Sequence, residues 1–324
     1  MNSAEAETTR PTLLIAGIGQ IAKWLDLIRW PNDQYLMDRI DLHTHSNCSD
    51  GSLSPRELVK LAKKRNLRAI ALTDHDTVAG VAEAVTAGKE LGVEVVTGVE
   101  ISAQYPPGTM HILGYCFSPS QPELLKALKK LQKARAARNP KIIERLQALG
   151  LEITTDEVLN LSSGQVGRPH IAKALVNRGY VSSIDEAFSR YLKKGAVAYA
   201  EKFRFSPREA IALIRGAGGL AVLAHPSTLR INKPRELTLL VKELQEMGLA
   251  GLEVFYPNHT KETVVFYQDI AKKLGLVRTG GSDFHGNLRD HSYLGNSILG
   301  QDLDYGLLQN IRERLPLKDF SGDR

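Results

Sequence analysis

"RIDLHTHSNCSDG", residues 39–51, places a dense group of ionisable side chains directly after a short apolar strand. Side chains alternate between the two faces of a strand, so His43 and His45, two residues apart, point to the same face. Asp50 follows within the same short stretch. The stretch therefore predicts that several polar side chains converge at one end of a strand.

Short apolar runs and amphipathic helical patterns alternate along the chain on both sides of a central segment. The runs include "AIAL" at 69–72 and "LAVLA" at 220–224, and two of the helical patterns begin with capping boxes. Such alternation favours a parallel sheet flanked by helices, and we expect the sheet to close into a barrel. The capping boxes are Ser54–Glu57 and Ser206–Glu209.

The central segment, residues 120–205, reads as helices only. It carries sixteen Lys and Arg against eight Asp and Glu, whereas the whole chain has a formal net charge of only +6. We expect an inserted, basic, all-helical subdomain that acts as a substrate-binding lid. Residues 37–119 and 206–324 are then expected to form the barrel, and residues 1–36 an N-terminal extension of unknown role.

The composition indicates the cellular compartment in which the protein works. Two cysteines, Cys48 and Cys116, in 324 residues give no disulfide framework, which favours a reducing compartment, and we expect a cytoplasmic protein. The apolar run within the first 36 residues is too short to span a bilayer. The sequence gives no sign of a membrane association or of an obligate protein partner.

Further imidazoles and carboxylates recur at the ends of the predicted strands. The carboxyl ends of parallel strands share one rim, so these side chains are expected to meet there. Crowded together, they would leave charges and polar groups unsatisfied unless cations bind them. Nitrogen and oxygen ligands suit Zn, Mn or Fe, and nine candidates imply two or three ions. The nine are His43, His45, Asp50, His75, Glu100, His111, His225, Asp283 and His285, and Asp74 and Asp76 also follow a predicted strand.

Five motifs that contain these residues occur in one order along the chain: "DLHTHSNCSDG", "ALTDHDT", "GVEIS", "AHP" and "GSDFHG". Together they resemble the motifs of the polymerase and histidinol phosphatase (PHP) superfamily, over residues 38–300. The resemblance implies a distorted (β/α)7 barrel with a trinuclear metal centre at the strand ends. Every ligand position is retained, which implies an active enzyme.

The resemblance also implies which residues share each metal. The first metal would take His43, His45, Glu100 and Asp283, the second Glu100, His111 and His225, and the third Asp50, His75 and His285. Glu100 and Asp283 are expected to be essential for turnover. His225, or a water on the metals, is expected to protonate the leaving oxygen.

On the substrate side, Arg168 precedes a proline at a predicted helix start, where a guanidinium and a helix N-terminus both favour phosphate. His170 lies on the same turn, and Ser49 lies beside the metal-binding loop, so both are candidates for substrate contact. The eight basic residues within 126–145 would attract a polyanion. Aromatic residues of the insert, such as Tyr191 and Tyr199, are candidates for base stacking.

These features predict a metal-dependent phosphoesterase that uses a metal-activated hydroxide. "GRPHIA" and the segment leading to "LAHP" resemble the stand-alone branch that includes a nucleoside 3′,5′-bisphosphate phosphatase and a 5′-to-3′ exoribonuclease of short 5′-phosphorylated RNA. The expected substrate is therefore a nucleotide or short single-stranded RNA. One alternative is a histidinol-phosphate phosphatase, and another is a non-catalytic RNA-binding module with structural metals.

Overall fold

The computed structural model describes residues 38–315 except 107, 163, 289–292 and 297, so the expected N-terminal extension lies outside the described residues. The strands are β1 (Ile40–Thr44), β2 (Ala69–Leu72), β3 (Glu94–Ala103), β4 (Met110–Tyr115), β5 (Leu220–Leu223), β6 (Gly251–Phe255) and β7 (Val277–Gly280). The helices are α1 (Pro55–Lys64), α2 (Val81–Leu91), α3 (Pro122–Ala148), α4 (Thr155–Leu159), α5 (Arg168–Asn177), α6 (Ile184–Ala187), α7 (Pro207–Gly216), α8 (Pro234–Glu246), α9 (Lys261–Leu274) and α10 (Gly306–Glu313).

The seven strands form one sheet in the order of the chain, from β1 to β7. Beyond β7, Phe284 bridges back to Thr44 of β1, and the His45 amide donates a hydrogen bond to the Phe284 carbonyl at 2.9 Å. The sheet is therefore a nearly closed barrel, which confirms the predicted α/β barrel. Its interior and its helix-facing side are filled by buried aliphatic side chains such as Leu42, Leu113 and Val222.

Strand β4 corrects the expectation of a parallel sheet, because it runs antiparallel to both β3 and β5. The connection from Ala103 to Met110 is too short for a crossover helix, which needs about a dozen residues, and it can only reverse the chain. The reversal brings the first residues of β4 to the rim where the other strands end. His111 consequently pairs with Ser102 near the end of β3.

Local sequence signals fix the helix starts. Ser54 accepts a hydrogen bond from the Glu57 amide, and the Glu57 carboxylate accepts from the Ser54 amide, so the predicted capping box at α1 is confirmed. The box of Ser206 and Glu209 at α7 is confirmed in the same way. Both helices have a proline at their first position, where no intrahelical N–H is needed.

Helices α3 to α6 lie between β4 and α7 in the chain and share an apolar cluster of their own. Ile142 and Leu146 of α3 pack there with Ile171 and Leu175 of α5. This separate core supports the proposal that residues 120–205 are an insert. The described part of the insert belongs with the barrel to one compact unit.

None of the described helices is long and apolar enough to cross a bilayer. Both cysteines carry free thiols, and burial raises the pKa of Cys116 to about 11.

Candidate metal centre

All nine predicted ligands meet at the rim of the barrel. Eight of them fall into three overlapping groups in which the candidate ligand atoms lie within 4.8 Å of one another, and the ninth, His225, contacts Glu100, which belongs to two of these groups. The chain brings them from six strands or strand ends, so the arrangement depends on the closed sheet. The three groups are His43, His45, Glu100 and Asp283; His75, Glu100 and His111; and His45, Asp50, His75 and His285.

The first group is the most deeply buried. The Nε2 atoms of His43 and His45 lie 3.4 and 3.3 Å from Glu100 Oε2, and 3.5 and 3.1 Å from Asp283 Oδ1. Two imidazole nitrogens and two carboxylate oxygens thus surround one point, as the alternation of side chains in "HTH" predicts. The four residues are those that the resemblance implies for the first metal.

Glu100 lies at the centre of the second group. Its Oε1 is 2.6 Å from His111 Nδ1 and 2.9 Å from His225 Nε2, while its Oε2 is 2.9 Å from His75 Nδ1. Burial would raise the pKa of Glu100, but His75, His111 and His43 hold it well below its usual range. These contacts favour the ionised form of Glu100, and its two oxygens face different histidines, as a carboxylate shared between two metals would require.

The third group surrounds Asp50. His285 Nε2 lies 3.4 Å from Asp50 Oδ1, and His75 Nε2 lies 3.9 Å from Asp50 Oδ2. His75 thus directs one ring nitrogen toward Glu100 and the other toward Asp50. His45 also reaches this group, so the geometry offers one ligand more than the resemblance implies for the third metal.

The residues present fit divalent metal ions. Seven buried nitrogen or oxygen atoms of the nine residues form no hydrogen bond of acceptable geometry among the described residues, although some of them lie within 3 Å of one another. Leaving such atoms unpaired is costly, and cations would satisfy them together. Imidazole and carboxylate donors are the ligands that catalytic zinc, manganese and iron use. The seven atoms are His43 Nε2, both ring nitrogens of His45, Asp50 Oδ1, His75 Nδ1, Glu100 Oε2 and His111 Nδ1.

Partners behind the ligands orient the imidazole rings. His43 Nδ1 lies 2.8 Å from Glu253 Oε1, His285 Nδ1 lies 2.8 Å from the Asp283 carbonyl, and His225 Nδ1 lies 3.1 Å from Thr228 Oγ1. With Nδ1 of each ring occupied, Nε2 is left to face the centre. Such partners fix the tautomer of a ligating histidine and increase its basicity.

Glu253 is a supporting residue that the sequence analysis missed. It is fully buried on β6, and its second oxygen accepts a hydrogen bond from the His225 amide at 2.6 Å. One carboxylate thus holds residues of two metal groups. The sequence does contain a signal for Glu253, which is a glutamate inside the apolar strand "GLEVF". A carboxylate buried in such a strand requires polar partners, so its position indicates a structural or functional role.

We expect Glu253→Gln to weaken binding of the first metal by about 10- to 100-fold, which is the usual effect of losing such a partner. The amide cannot serve both the His43 ring and the His225 amide as an acceptor. Calorimetric titration of the metal-stripped protein with Mn²⁺ measures the affinity. Glu243→Gln, an exposed glutamate on α8, is the matched control. Equal affinities in the two variants would show that Glu253 does not support the ligands.

Two buried aspartates brace the loops that carry ligands. Asp74 accepts hydrogen bonds from the Ser46 amide and hydroxyl and from the Ser49 hydroxyl, at 2.7, 2.6 and 2.6 Å, and burial raises its pKa to about 6. Asp41 accepts from the amide and hydroxyl of Ser282, at 2.9 and 2.5 Å. The structure thus directs the Ser49 hydroxyl toward Asp74, and its contact with substrate stays a prediction.

Backbone conformation at the rim also points to a functional site. Asp76, His225 and Asp283 have positive φ angles of 55°, 24° and 51°. Residues other than glycine rarely adopt positive φ angles, and backbone strain of this kind concentrates at active sites. Gly281 is required beside Asp283 because a Cβ atom there would lie 2.3 Å from the Cβ of His43.

One cavity, of about 460 Å³, is lined by six of the nine candidate ligands and by six basic side chains, five from residues 120–205 and Arg230 from the barrel. Arg138 is only 3% exposed, and its Nη2 donates to the Asn139 amide oxygen at 2.8 Å. Burial and the neighbouring guanidinium groups lower the pKa of Arg138 well below its usual range. Concentrated positive charge next to a metal centre is suited to a polyanion. We call these five residues the basic cluster: Arg135, Arg138, Arg168, Lys202 and Arg204.

Asp76 attaches the basic cluster to the barrel. Its Oδ2 lies 2.7 Å from Arg135 Nη2 and 2.9 Å from Lys202 Nζ, and its Oδ1 accepts from the Ser102 amide at 2.8 Å. Arg135 belongs to α3, so this buried contact fixes the insert over the rim.

We expect Asp76→Asn to lower the free energy of unfolding by about 3 kcal/mol, because two buried cations lose their counter-charge. Urea unfolding of the full chain measures the change. Asp156→Asn, at an exposed position of α4, should leave the free energy within about 0.5 kcal/mol of wild type. A loss for Asp76→Asn no larger than that of this control would contradict the proposed attachment.

The two predicted substrate residues of α5 lie in different environments. Arg168 lines the cavity, donates to the Leu192 carbonyl at 2.9 Å, and has a pKa lowered by burial to about 10. His170 is 1% exposed, and its Nδ1 accepts a hydrogen bond from the Gly167 amide at 3.0 Å. His170 thus caps its own helix instead of lining the cavity, and its contact with substrate stays a prediction.

Tyr256 is a second residue that the sequence analysis missed. Its hydroxyl donates to Asp283 Oδ2 at 2.9 Å, and its ring packs against His225, with the centroids 5.4 Å apart. A tyrosine directly after strand β6 gives no signal of its own in the sequence. Its role becomes visible only when β6 and β7 lie side by side.

Comparison with known proteins agrees with this geometry. The PHP domain family matches residues 41–245. This chain belongs to the PHP domain family. As a PHP domain protein with a cluster of histidines and carboxylates able to bind metal, it is a metal-dependent phosphoesterase.

Several relatives cover most of this PHP domain protein. It is 38% identical to a 5′-3′ exoribonuclease of Haemophilus influenzae, over 76% of this chain and 90% of the relative. It is 34% identical to a 3′,5′-nucleoside bisphosphate phosphatase of Chromobacterium violaceum, over 77% of this chain and 88% of the relative. A crystal structure from Bifidobacterium adolescentis, assigned as a metal-dependent phosphoesterase, superposes with a TM-score of 0.77 at 32% identity. That alignment covers 88% of this PHP domain protein and 98% of the other chain.

Proposed function

We propose that this phosphoesterase hydrolyses nucleotides that carry a second phosphate in addition to the one attacked: nucleoside 3′,5′-bisphosphates or short 5′-phosphorylated RNA. One observation carries the proposal, namely that the basic cluster and six of the nine candidate metal ligands line one cavity. Ligands at the rim suit the reacting phosphate, and the basic cluster suits a second phosphate on the same molecule. The printed names of the two relatives support this substrate class.

Two or three divalent ions, Mn, Zn or Fe, are proposed as cofactors. The nine predicted residues would hold them, with Glu100 shared between the first and second metal. When bound, such ions polarise phosphoryl oxygens and lower the pKa of a coordinated water toward 7.

The chain's own residues would position the substrate. Arg168 and Arg138 would hold the non-reacting phosphate, and Tyr256 would keep Asp283 in place through the hydrogen bond to its carboxylate. His225, whose Nε2 is near Glu100, is proposed as proton donor to the leaving oxygen if it is not ligated. The helices of residues 120–205, which supply Arg135, Arg138 and Arg168, are proposed as the substrate-binding lid.

Histidinol phosphate fits this cavity less well, because its ammonium group would face the basic cluster. Among the described residues, two carboxylates form ion pairs with the five cations: Asp76 pairs with Arg135 and Lys202, and Glu201 pairs with Arg204. The remaining positive charge repels a cationic substrate and attracts a second phosphate.

The test is a substrate panel with the full chain, with Mn²⁺ or with chelator: a nucleoside 3′,5′-bisphosphate, the matching 3′-monophosphate, a 5′-phosphorylated dinucleotide and histidinol phosphate. We expect activity only with metal, and a kcat/KM for the bisphosphate about 100-fold above that for the monophosphate. That ratio corresponds to about 3 kcal/mol, the contribution of charge-assisted hydrogen bonds to the second phosphate. Equal values for the two nucleotides, or a preference for histidinol phosphate, would refute the proposed substrate class.

A further inference from the structure

A second cavity, of about 550 Å³, adjoins the cavity of the metal centre. The two cavities share lining residues, among them Arg168, Lys202 and Arg204 of the basic cluster. A ligand bound by the basic cluster can therefore extend into the second cavity if it is long enough, because the two cavities are contiguous. We call this second cavity the side groove; Tyr105, Lys193, Lys194 and Phe203 line it and do not line the first cavity.

The side groove is strongly basic. Six lysines and arginines line it against a single carboxylate, Glu201, whose Oε2 lies 2.7 Å from Arg204 Nη1. Lys193 and Lys194 are exposed, and Lys194 donates to the Pro106 carbonyl at the opposite edge. The positive charge of the basic cluster thus extends into the groove, as a ligand with more than two phosphates would require.

The groove also carries aromatic rings. Phe203 is 40% exposed although it is fully apolar, and Lys130 Nζ lies 4.0 Å from the centroid of its ring. Tyr105 and Tyr199 line the same groove. Basic side chains interleaved with accessible aromatic rings are the arrangement that binds single-stranded nucleic acid, because rings stack on bases while cations contact phosphates.

From these contacts we propose that the side groove binds a further nucleotide of a single-stranded oligonucleotide, with its base on Phe203 or Tyr105 and its phosphate near Lys193. The inference rests on the proposed function and adds that, within its substrate class, chains of two or more nucleotides bind more tightly than a single nucleotide. An apolar ligand or an uncharged peptide would not use the row of cations that joins the two cavities, and an acidic peptide would offer no base for the aromatic rings. The added nucleotide can be linked on its 5′ or its 3′ side, and the test includes both.

Binding is measured in chelator, by fluorescence anisotropy, for a nucleoside 3′,5′-bisphosphate, a 5′-phosphorylated dinucleotide and a dinucleotide 3′-phosphate. Hydrolysis of the same molecules is measured with Mn²⁺. We expect wild type to bind one of the dinucleotides at least about 5-fold more tightly than the bisphosphate, as one stacked base provides. Phe203→Ala should remove most of that advantage, and Phe203→Leu, which keeps apolar volume without an aromatic face, should do the same. Lys193→Gln should reduce the salt dependence of dinucleotide binding by about one phosphate contact.

Lys60→Gln, an exposed lysine of α1 on the barrel, is the control and should change neither affinity nor salt dependence. If wild type binds both dinucleotides no better than the bisphosphate, or if the Phe203 variants lose affinity for all three equally, the groove has no such role. Hydrolysis of the bisphosphate would then still support the proposed function. If the Mn²⁺-loaded enzyme hydrolyses none of the three, the proposed function is refuted and the inference with it.

Discussion

Glu100→Ala is expected to lower kcat/KM by at least about 1,000-fold, or about 4 kcal/mol of barrier. The carboxylate lies within 3.4 Å of nitrogen atoms from five histidines, so its removal takes one ligand from two metal groups at once. The histidines would also lose the negative charge that offsets a cluster of imidazoles. Steady-state hydrolysis with Mn²⁺ and metal content by mass spectrometry measure the two consequences.

Folding has to be separated from metal loss in this variant. Cooperative thermal unfolding of metal-free Glu100→Ala would show that the barrel persists. Glu90→Ala, an exposed glutamate of α2, should keep full activity and metal content. Activity of Glu100→Ala above about a tenth of wild type, with the metals still bound, would show that the ligand assignment is wrong.

Arg168→Ala is expected to lower kcat/KM for a nucleoside 3′,5′-bisphosphate by about 10- to 150-fold, the cost of about 1.5–3 kcal/mol for a charge-assisted hydrogen bond. For the matching 3′-monophosphate the loss should be much smaller, because that substrate brings no second phosphate to the basic cluster. The kcat/KM values of wild type and Arg168→Ala on the two substrates form a thermodynamic cycle. That cycle isolates the energy of the contact between Arg168 and the second phosphate.

Arg178→Ala provides the matched control for this cycle. Arg178 follows α5 and pairs with Glu157 at 2.6 Å on the exposed surface, where an ion pair contributes little. The Arg178→Ala substitution should leave kcat/KM unchanged for both the bisphosphate and the 3′-monophosphate. Equal losses on the two substrates in Arg168→Ala would instead mean that Arg168 only supports the fold or the reacting phosphate.

The clustering of the candidate metal ligands could largely be predicted from the sequence, because each one is next to a recognisable strand. His43 and His45 follow from side-chain alternation, and the shared rim follows from the alternating strands and helices. His111 is the exception, because it lies at the beginning of an apolar run, and only the reversed direction of β4 brings that end of the strand to the rim of the other ligands.

Residues behind the ligands could not be predicted in the same way. Glu253 and Tyr256 act through contacts between strands that are distant in sequence, and a single strand pattern cannot show which faces meet. For the basic cluster, the spacing of Arg135 and Arg138 predicts a basic stretch of helix, but only the packing of α3 over the barrel buries these two residues beside the metal centre. The sequence makes His170 a candidate for substrate contact, and only the structure shows that its Nδ1 accepts a hydrogen bond at the start of its own helix.

The reversed direction of β4 limits where this chain can change length. An extra residue in the connection from Ala103 to Met110 or at the start of β4 could shift the register by one, and would then turn His111 to the opposite face of the sheet. Loops normally accept insertions, but this one controls the position of a ligand. Peptide tags or fused domains would be tolerated better beyond the far end of the same strand, after Tyr115, where no member of the metal centre depends on the spacing.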